Sequence, residues 1–178
     1  MSTSTSKMFF AGTGGMGILL MGQIVGTAAI AEDKAVTFFP SYGPEMRGGT
    51  ANCTVIVSDS EISSPLVHES DYVVAMTLPS MLKFEPTLKP GGTLFINSSL
   101  VREAPQRTDI NLIEVAASET AHNMGETRVA NIIMLGAFIR KTGIVKSENI
   151  EKVISDYFGT RKAALVDTNL KAFHHWNP

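Results

Sequence analysis

Short apolar runs recur along this chain, each closed by Gly, Pro, Asp or Asn: Met8–Ala11, Val36–Phe39, Cys53–Val57, Tyr72–Met76, Thr93–Ile96 and Leu112–Val115. Runs of that length with such boundaries predict strands. They are apolar almost throughout rather than alternating, which predicts a sheet covered on both faces, as parallel sheets are. Met16–Ala31 predicts a helix after the first strand, and Pro79–Glu85 a short one with proline in its first turn. After residue 116 the period becomes helical and stays so. Ile150, Val153, Ile154, Tyr157 and Phe158 recur at helical spacing behind Ser147, a predicted cap, with Glu148 in the first turn. Val166, Leu170, Phe173 and Trp176 mark a last amphipathic helix. The pattern predicts one α/β domain with a largely parallel sheet and flanking helices. Its α/β core spans about residues 7–142, and a helical C-terminal part about 147–176.

Two of the predicted helices, Met16–Ala31 and Val129–Ile139, are apolar nearly all round. A helix of that kind must be covered on more than one side. With two in a small domain, part of the cover is expected from a second chain, so the isolated protein is expected to form a homodimer. Gly22 and Gly26 share one helical face and predict a close backbone approach there. Asn131, inside the second apolar helix, is expected to hydrogen-bond a loop.

Composition narrows the chemistry. A chain of 178 residues fits one domain and can bury a core without disulfide or metal. Its single cysteine, Cys53, excludes an internal disulfide framework and a four-thiolate iron–sulfur cluster, and inside a strand it reads as a small buried hydrophobe. Formal net charge is -2, with no basic face, which argues against nucleic acid. Mean hydropathy is +0.12. The apolar Met16–Ala31 run is broken by Gly17, Gly22, Gln23 and Gly26 and falls short of the roughly 20 residues that span a bilayer. The same glycines argue against a signal-peptide core, so a cytoplasmic, membrane-free protein is expected. His68, His122, His174 and His175 show no metal-ligand spacing, and no residues form a nucleophile-and-base arrangement. No metal and no catalytic residue are assigned.

The first loop, Gly12-Thr13-Gly14-Gly15-Met16-Gly17, matches G-x-G-x-x-G between a strand and a helix, a Rossmann-like context. Two readings of Gly12, Gly14, Gly15 and Gly17 stay open: they serve the turn alone, or they let an anion approach the helix N-terminus. A dinucleotide further requires an Asp or Glu about 20 residues on, at the end of the second strand. That strand ends in Phe38-Phe39-Pro40-Ser41 instead, while Glu32 and Asp33 precede it. Dinucleotide binding is therefore disfavoured, and an autonomous nucleotide- or anion-binding reductase or transferase is the alternative reading.

The second loop, Tyr42-Gly43-Pro44-Glu45-Met46-Arg47-Gly48-Gly49, sets an acid and a base two residues apart among turn residues. Arg47 offers a planar fork to a carboxylate or phosphate, and Glu45 could hold that fork. Tyr42, Gly43, Glu45, Arg47, Gly48 and Gly49 are the candidates for an interface or an active-site wall.

Together the two loops resemble the gamma subunit of 2-oxoacid:ferredoxin oxidoreductases, the group acting on 2-oxoglutarate, branched-chain 2-oxoacids and pyruvate. The resemblance continues through Val57-Ser58-Asp59, Ile62-Ser63-Ser64-Pro65, Asp71, Lys89-Pro90-Gly91-Gly92, Asn97-Ser98-Ser99 and Asn131–Ala137, a collinear match over roughly residues 8–140. It implies a complex that decarboxylates a 2-oxoacid on thiamine diphosphate with Mg2+. Electrons would pass through an iron–sulfur cluster to ferredoxin, and the acyl group to coenzyme A. The Gly-Asp-Gly diphosphate signature and the cluster cysteines are absent from this sequence. The resemblance therefore implies that this chain carries no cofactor of its own. It would supply scaffold and interface to alpha and beta subunits, and to delta where the complex has one.

Overall fold

The computed structural model describes residues 4–42, 49–159 and 163–176. Its strands are β1 (Thr5–Thr13), β2 (Ala35–Tyr42), β3 (Thr50–Ser58), β4 (Ser70–Ala75), β5 (Leu88–Asn97) and β6 (Asn111–Val115). Every apolar run picked out above lies on one of them, with Met76 alone falling one residue past the end of β4. They form one sheet in the order β2-β3-β1-β4-β5-β6. β1 with β4, β4 with β5 and β5 with β6 are parallel, whereas β3 is antiparallel to both β1 and β2. Five strands therefore run one way and β3 alone is reversed. Residues 43–49 are too few for the crossover of a dozen or more that a parallel return needs, so β3 folds back on β2 as a hairpin.

Neighbouring residues on a strand face opposite sides, so Phe9 and Phe10 of β1 serve two different cores. The helices are α1 (Ile18–Ile30), α2 (Leu78–Phe84), α3 (Ala117–Asn123), α4 (Ala130–Thr142), α5 (Ser147–Gly159) and α6 (Ala163–His175). Five of them contribute to the larger core over Phe10, Val55 and Phe95, while α2 covers Phe9, Val73 and Leu94 on the opposite face.

The all-round apolar character of α4 has an intramolecular explanation. All its residues from Ala130 to Ile139 are buried. Phe138 meets the sheet edge-on, its ring centroid 5.3 Å from those of Phe10 and Phe95 and 5.7 Å from that of Tyr72. On its other side α4 packs against α6, where a Cβ on Gly136 would collide with the carbonyl oxygen of Phe173. The expected second chain is thus replaced by the protein's own C-terminal helix. For α1 the glycines likewise serve the sheet: a Cβ on Gly22 would stand 2.5 Å from Cys53 Sγ, and one on Gly26 3.3 Å from Val36 Cγ1. The apolar helices therefore supply no argument for a homodimer.

Cys53 beneath α1 is fully buried, and desolvation pushes its thiol up to about 12. The start of α5 also differs from expectation. Its acceptor is not Ser147 but Glu32, from the turn after α1, which takes hydrogen bonds from the Lys146 N–H at 2.6 Å and Asn149 Nδ2 at 2.8 Å. Burial raises the Glu32 pKa, but these bonds and Lys34 outweigh it and leave the group below its ordinary value. A carboxylate suits that position because helix N-termini favour negative charge.

Gly136→Ala is expected to cost about 1–3 kcal/mol, because α4 and α6 must separate to admit one methyl group. Gly159→Ala, whose added Cβ meets nothing nearer than 3.8 Å, is expected to stay within about 0.5 kcal/mol of wild type. Urea denaturation of the two variants measures the difference.

Candidate functional site

The two glycine loops meet at the same end of the sheet, because β1 and β2 run in the same direction on either side of β3. The Gly14 N–H donates to the Gly49 carbonyl at 2.9 Å, and the Met16 N–H to Thr13 O at 3.2 Å. Gly12 is a packing position: a Cβ there would come within 2.5 Å of Ile18 Cδ1 and 3.1 Å of Met76 Cβ. Of the four candidate anion-binding glycines, Gly12 is thus walled in and Gly14 has its donor engaged. Gly15 and Gly17 remain, at φ values of 93° and 72°. Both positive angles need glycine. Gly17 is the N-cap of α1 and provides no side chain to cap it.

Tyr42 ends β2 opposite Ala51, and Gly49 is half-buried. Gly43, Glu45, Arg47 and Gly48 lie outside the described residues.

Gly15 and Gly17 border a cavity of about 380 Å3. Its floor is the first turn of α1, with Met16 and Leu20. One wall is the turn into α4, from Glu126 to Asn131. The other comes from Phe158 at the end of α5 and Leu165, Thr168 and Asn169 on α6. Asn131 ties floor to wall. Its Nδ2 donates to Gly17 O at 3.2 Å, which is the loop contact its sequence position called for. The side chain also fills the space in which a Gly17 Cβ would stand. Asn131 Oδ1 is buried and accepts no hydrogen bond among the described residues.

Charge in the cavity is self-neutralised. The Arg128 guanidinium grips Glu126 with Nε to Oε1 and Nη2 to Oε2, both 2.9 Å, and the Arg128 N–H adds a bond of 3.3 Å. These bonds, the side-chain ones first, hold the Glu126 carboxyl down at about 2, against an ordinary value of 4.5. No motif announced Glu126, Arg128, Thr168 or Asn169 in the sequence. They converge only because α6 folds back across α4.

Other residues singled out by their sequence context stitch the fold. Asp71 accepts the Lys7 N–H at 2.7 Å and pairs with Lys89. Asn97 bridges to Ser118, through Nδ2 to Oγ at 2.8 Å and through Oδ1 from the N–H at 3.3 Å, while Ser99 Oγ receives the Glu119 N–H at 3.0 Å. These contacts cap α3, whose own N-cap is an alanine. His174 pairs with Glu151 at 3.2 Å. Among the described residues no group of His, Cys, Asp and Glu could hold a metal ion, and no helix is long and apolar enough to cross a membrane.

The arrangement does not fit a dinucleotide. In the expected topology the ribose-holding strand neighbours β1, but here β3 stands between them and the end of β2 carries no carboxylate. Nor does it fit an iron–sulfur cluster: four thiolates are needed, and the one cysteine is buried with its thiol held protonated.

Two outcomes are expected at this site. Gly17→Ala is expected to cost about 1–3 kcal/mol through the left-handed backbone and the clash with Asn131. In a double-mutant cycle Asn131→Ala should recover part of that cost, read by chemical denaturation. Because its folded pKa is depressed, Glu126 contributes stability above its ordinary value of 4.5 and loses it as the pH falls towards 2. An NMR titration is expected to place its midpoint near 2, and Arg128→Gln to return it towards 4.5.

The pyruvate ferredoxin/flavodoxin oxidoreductase family model matches residues 7–175. The 2-oxoglutarate synthase subunit KorC of Methanothermobacter thermautotrophicus is 37% identical over 153 residues, which are 82% of this chain and 81% of that protein. The ketoisovalerate oxidoreductase subunit VorA of the same organism is 33% identical over 167 residues, 93% of this chain but 34% of that one, so this chain spans about a third of its relative's length. In fold, the keto/oxoacid ferredoxin oxidoreductase gamma subunit of Geobacter sulfurreducens PCA superposes with a TM-score of 0.83 at 33% identity, over 96% of this chain and 93% of the other. The chain thus belongs to the pyruvate ferredoxin/flavodoxin oxidoreductase family, as a unit of its gamma-subunit type.

Proposed function

We propose that this chain is the gamma subunit of a cytoplasmic, multi-subunit 2-oxoacid:ferredoxin oxidoreductase. The complex would decarboxylate a 2-oxoacid oxidatively, form the acyl-coenzyme A and reduce ferredoxin. The observation that carries this reading is the family match along residues 7–175 of a chain with one cysteine, itself buried under α1. Thiamine diphosphate, Mg2+ and the iron–sulfur cluster belong in this reading to alpha and beta subunits, and to delta where present. The residues here do not fit them, and no reaction step runs through this chain. What it contributes is shape: a rigid sheet end carrying both glycine loops. Gly15 and Gly17 are the part of the first loop left for an anion. Tyr42, Gly43, Glu45, Arg47, Gly48 and Gly49 form a segment against the partner subunits, with Arg47 toward an anionic group there.

The test is reconstitution. Co-expressed with family alpha and beta subunits, the chain should co-purify with them and support 2-oxoacid- and coenzyme A-dependent ferredoxin reduction, while the isolated chain shows none. Arg47→Ala should weaken assembly or turnover and leave the melting temperature of the isolated chain unchanged. An isolated chain that oxidises a 2-oxoacid unaided would overturn the reading.

A further inference from the structure

The two faces of the sheet are unequally roofed. On the α2 side, strand register aligns one row of residues across all six strands: Phe39, Thr54, Phe9, Val73, Leu94 and Leu112. The middle of this row is covered. Phe9 packs against Phe84 of α2 with ring centroids 4.9 Å apart, and Val73 and Leu94 are fully buried. Cover fails at the ends, leaving Phe39 62% and Leu112 40% exposed.

The β2 end has further properties that the β6 end lacks. All eight residues of β2, Ala-Val-Thr-Phe-Phe-Pro-Ser-Tyr, are uncharged, and β2, like β6, is an edge of the sheet. Edges are normally protected by charge, by shortness or by proline. Here Pro40 is the only such device, whereas β6 is five residues long and carries Glu114. An exposed aromatic anchor on a neutral edge makes a surface that costs little to desolvate.

The length of the relatives points to the occupant. In the ketoisovalerate oxidoreductase subunit this unit makes up 34% of a single chain, so the remaining two thirds are permanently tethered to it. Resting on the functional reading above, we propose that the Phe39 face docks a subunit homologous to those two thirds. Its contact surface would be neutral and apolar, and it would replace the cover that α2 fails to extend over β2.

The complex reconstituted with that subunit tests this. Phe39→Glu should reduce recovery of the partner at least tenfold in size-exclusion and native mass measurements, and Phe39→Ala should weaken it in the same direction. Leu112→Glu, at the opposite end of the row, should assemble as wild type. Because Phe39 is exposed, both Phe39 variants should keep the melting temperature of the isolated chain. A wild-type complex indifferent to Phe39→Glu overturns this surface alone. So does an isolated chain that is dimeric by light scattering and made monomeric by Phe39→Glu, since a second copy would then be the occupant. A wild-type chain that recovers no partner overturns the functional reading and this surface with it.

Discussion

The connection between β2 and β3 sets the character of the molecule. Residues 43–49 cannot carry a crossover, so β3 must return antiparallel, and it inserts between β2 and β1. This reversal brings the Gly49 carbonyl to the Gly14 N–H and joins the two glycine loops. It moves β2 one strand away from β1, dismantling the dinucleotide geometry that the first loop suggests by itself. It also makes β2 a sheet edge, which is why Phe39 can emerge on the face opposite Phe38. A glycine fingerprint is thus kept as a turn while its usual ligand geometry is lost.

Close approach of backbone is the second organising constraint. α1 rests on β2 and β3 through Gly22 and Gly26, and α4 meets α6 at Gly136. Each glycine removes a side chain where two elements touch, so the α1 backbone packs on side chains of β2 and β3 at Gly22 and Gly26, and the α4 backbone on that of α6 at Gly136. Asn131 extends the same logic to the site, its amide taking the space that a Gly17 side chain would need. The cavity beside it is therefore a product of helix packing, with a charge pair that satisfies itself.

The protein's thiol is buried and held protonated, and its ionisable pairs are committed to one another or to helix ends. Groups so committed brace the structure. In the functional reading proposed above, a scaffold of this kind holds surfaces in place, and the chemistry belongs to the subunits that pack against it.

Much of this was legible in the residues themselves. The six apolar runs located the strands, the glycine spacing located the first loop, and the collinear motifs identified the family, since each depends on local sequence alone. Ser147 misled as a cap because the better acceptor, Glu32, lies more than a hundred residues away. The apolar helices lost their force as an argument for a homodimer because all-round hydrophobicity reports that a helix is buried without saying by what. Strand order, the cover of α4 by α6, and the meeting of Glu126, Arg128 and Asn169 around Gly15 and Gly17 were decided only in three dimensions. Periodicity fixes which face of an element is apolar, but the length of each connection and the fit between distant side chains choose which faces meet.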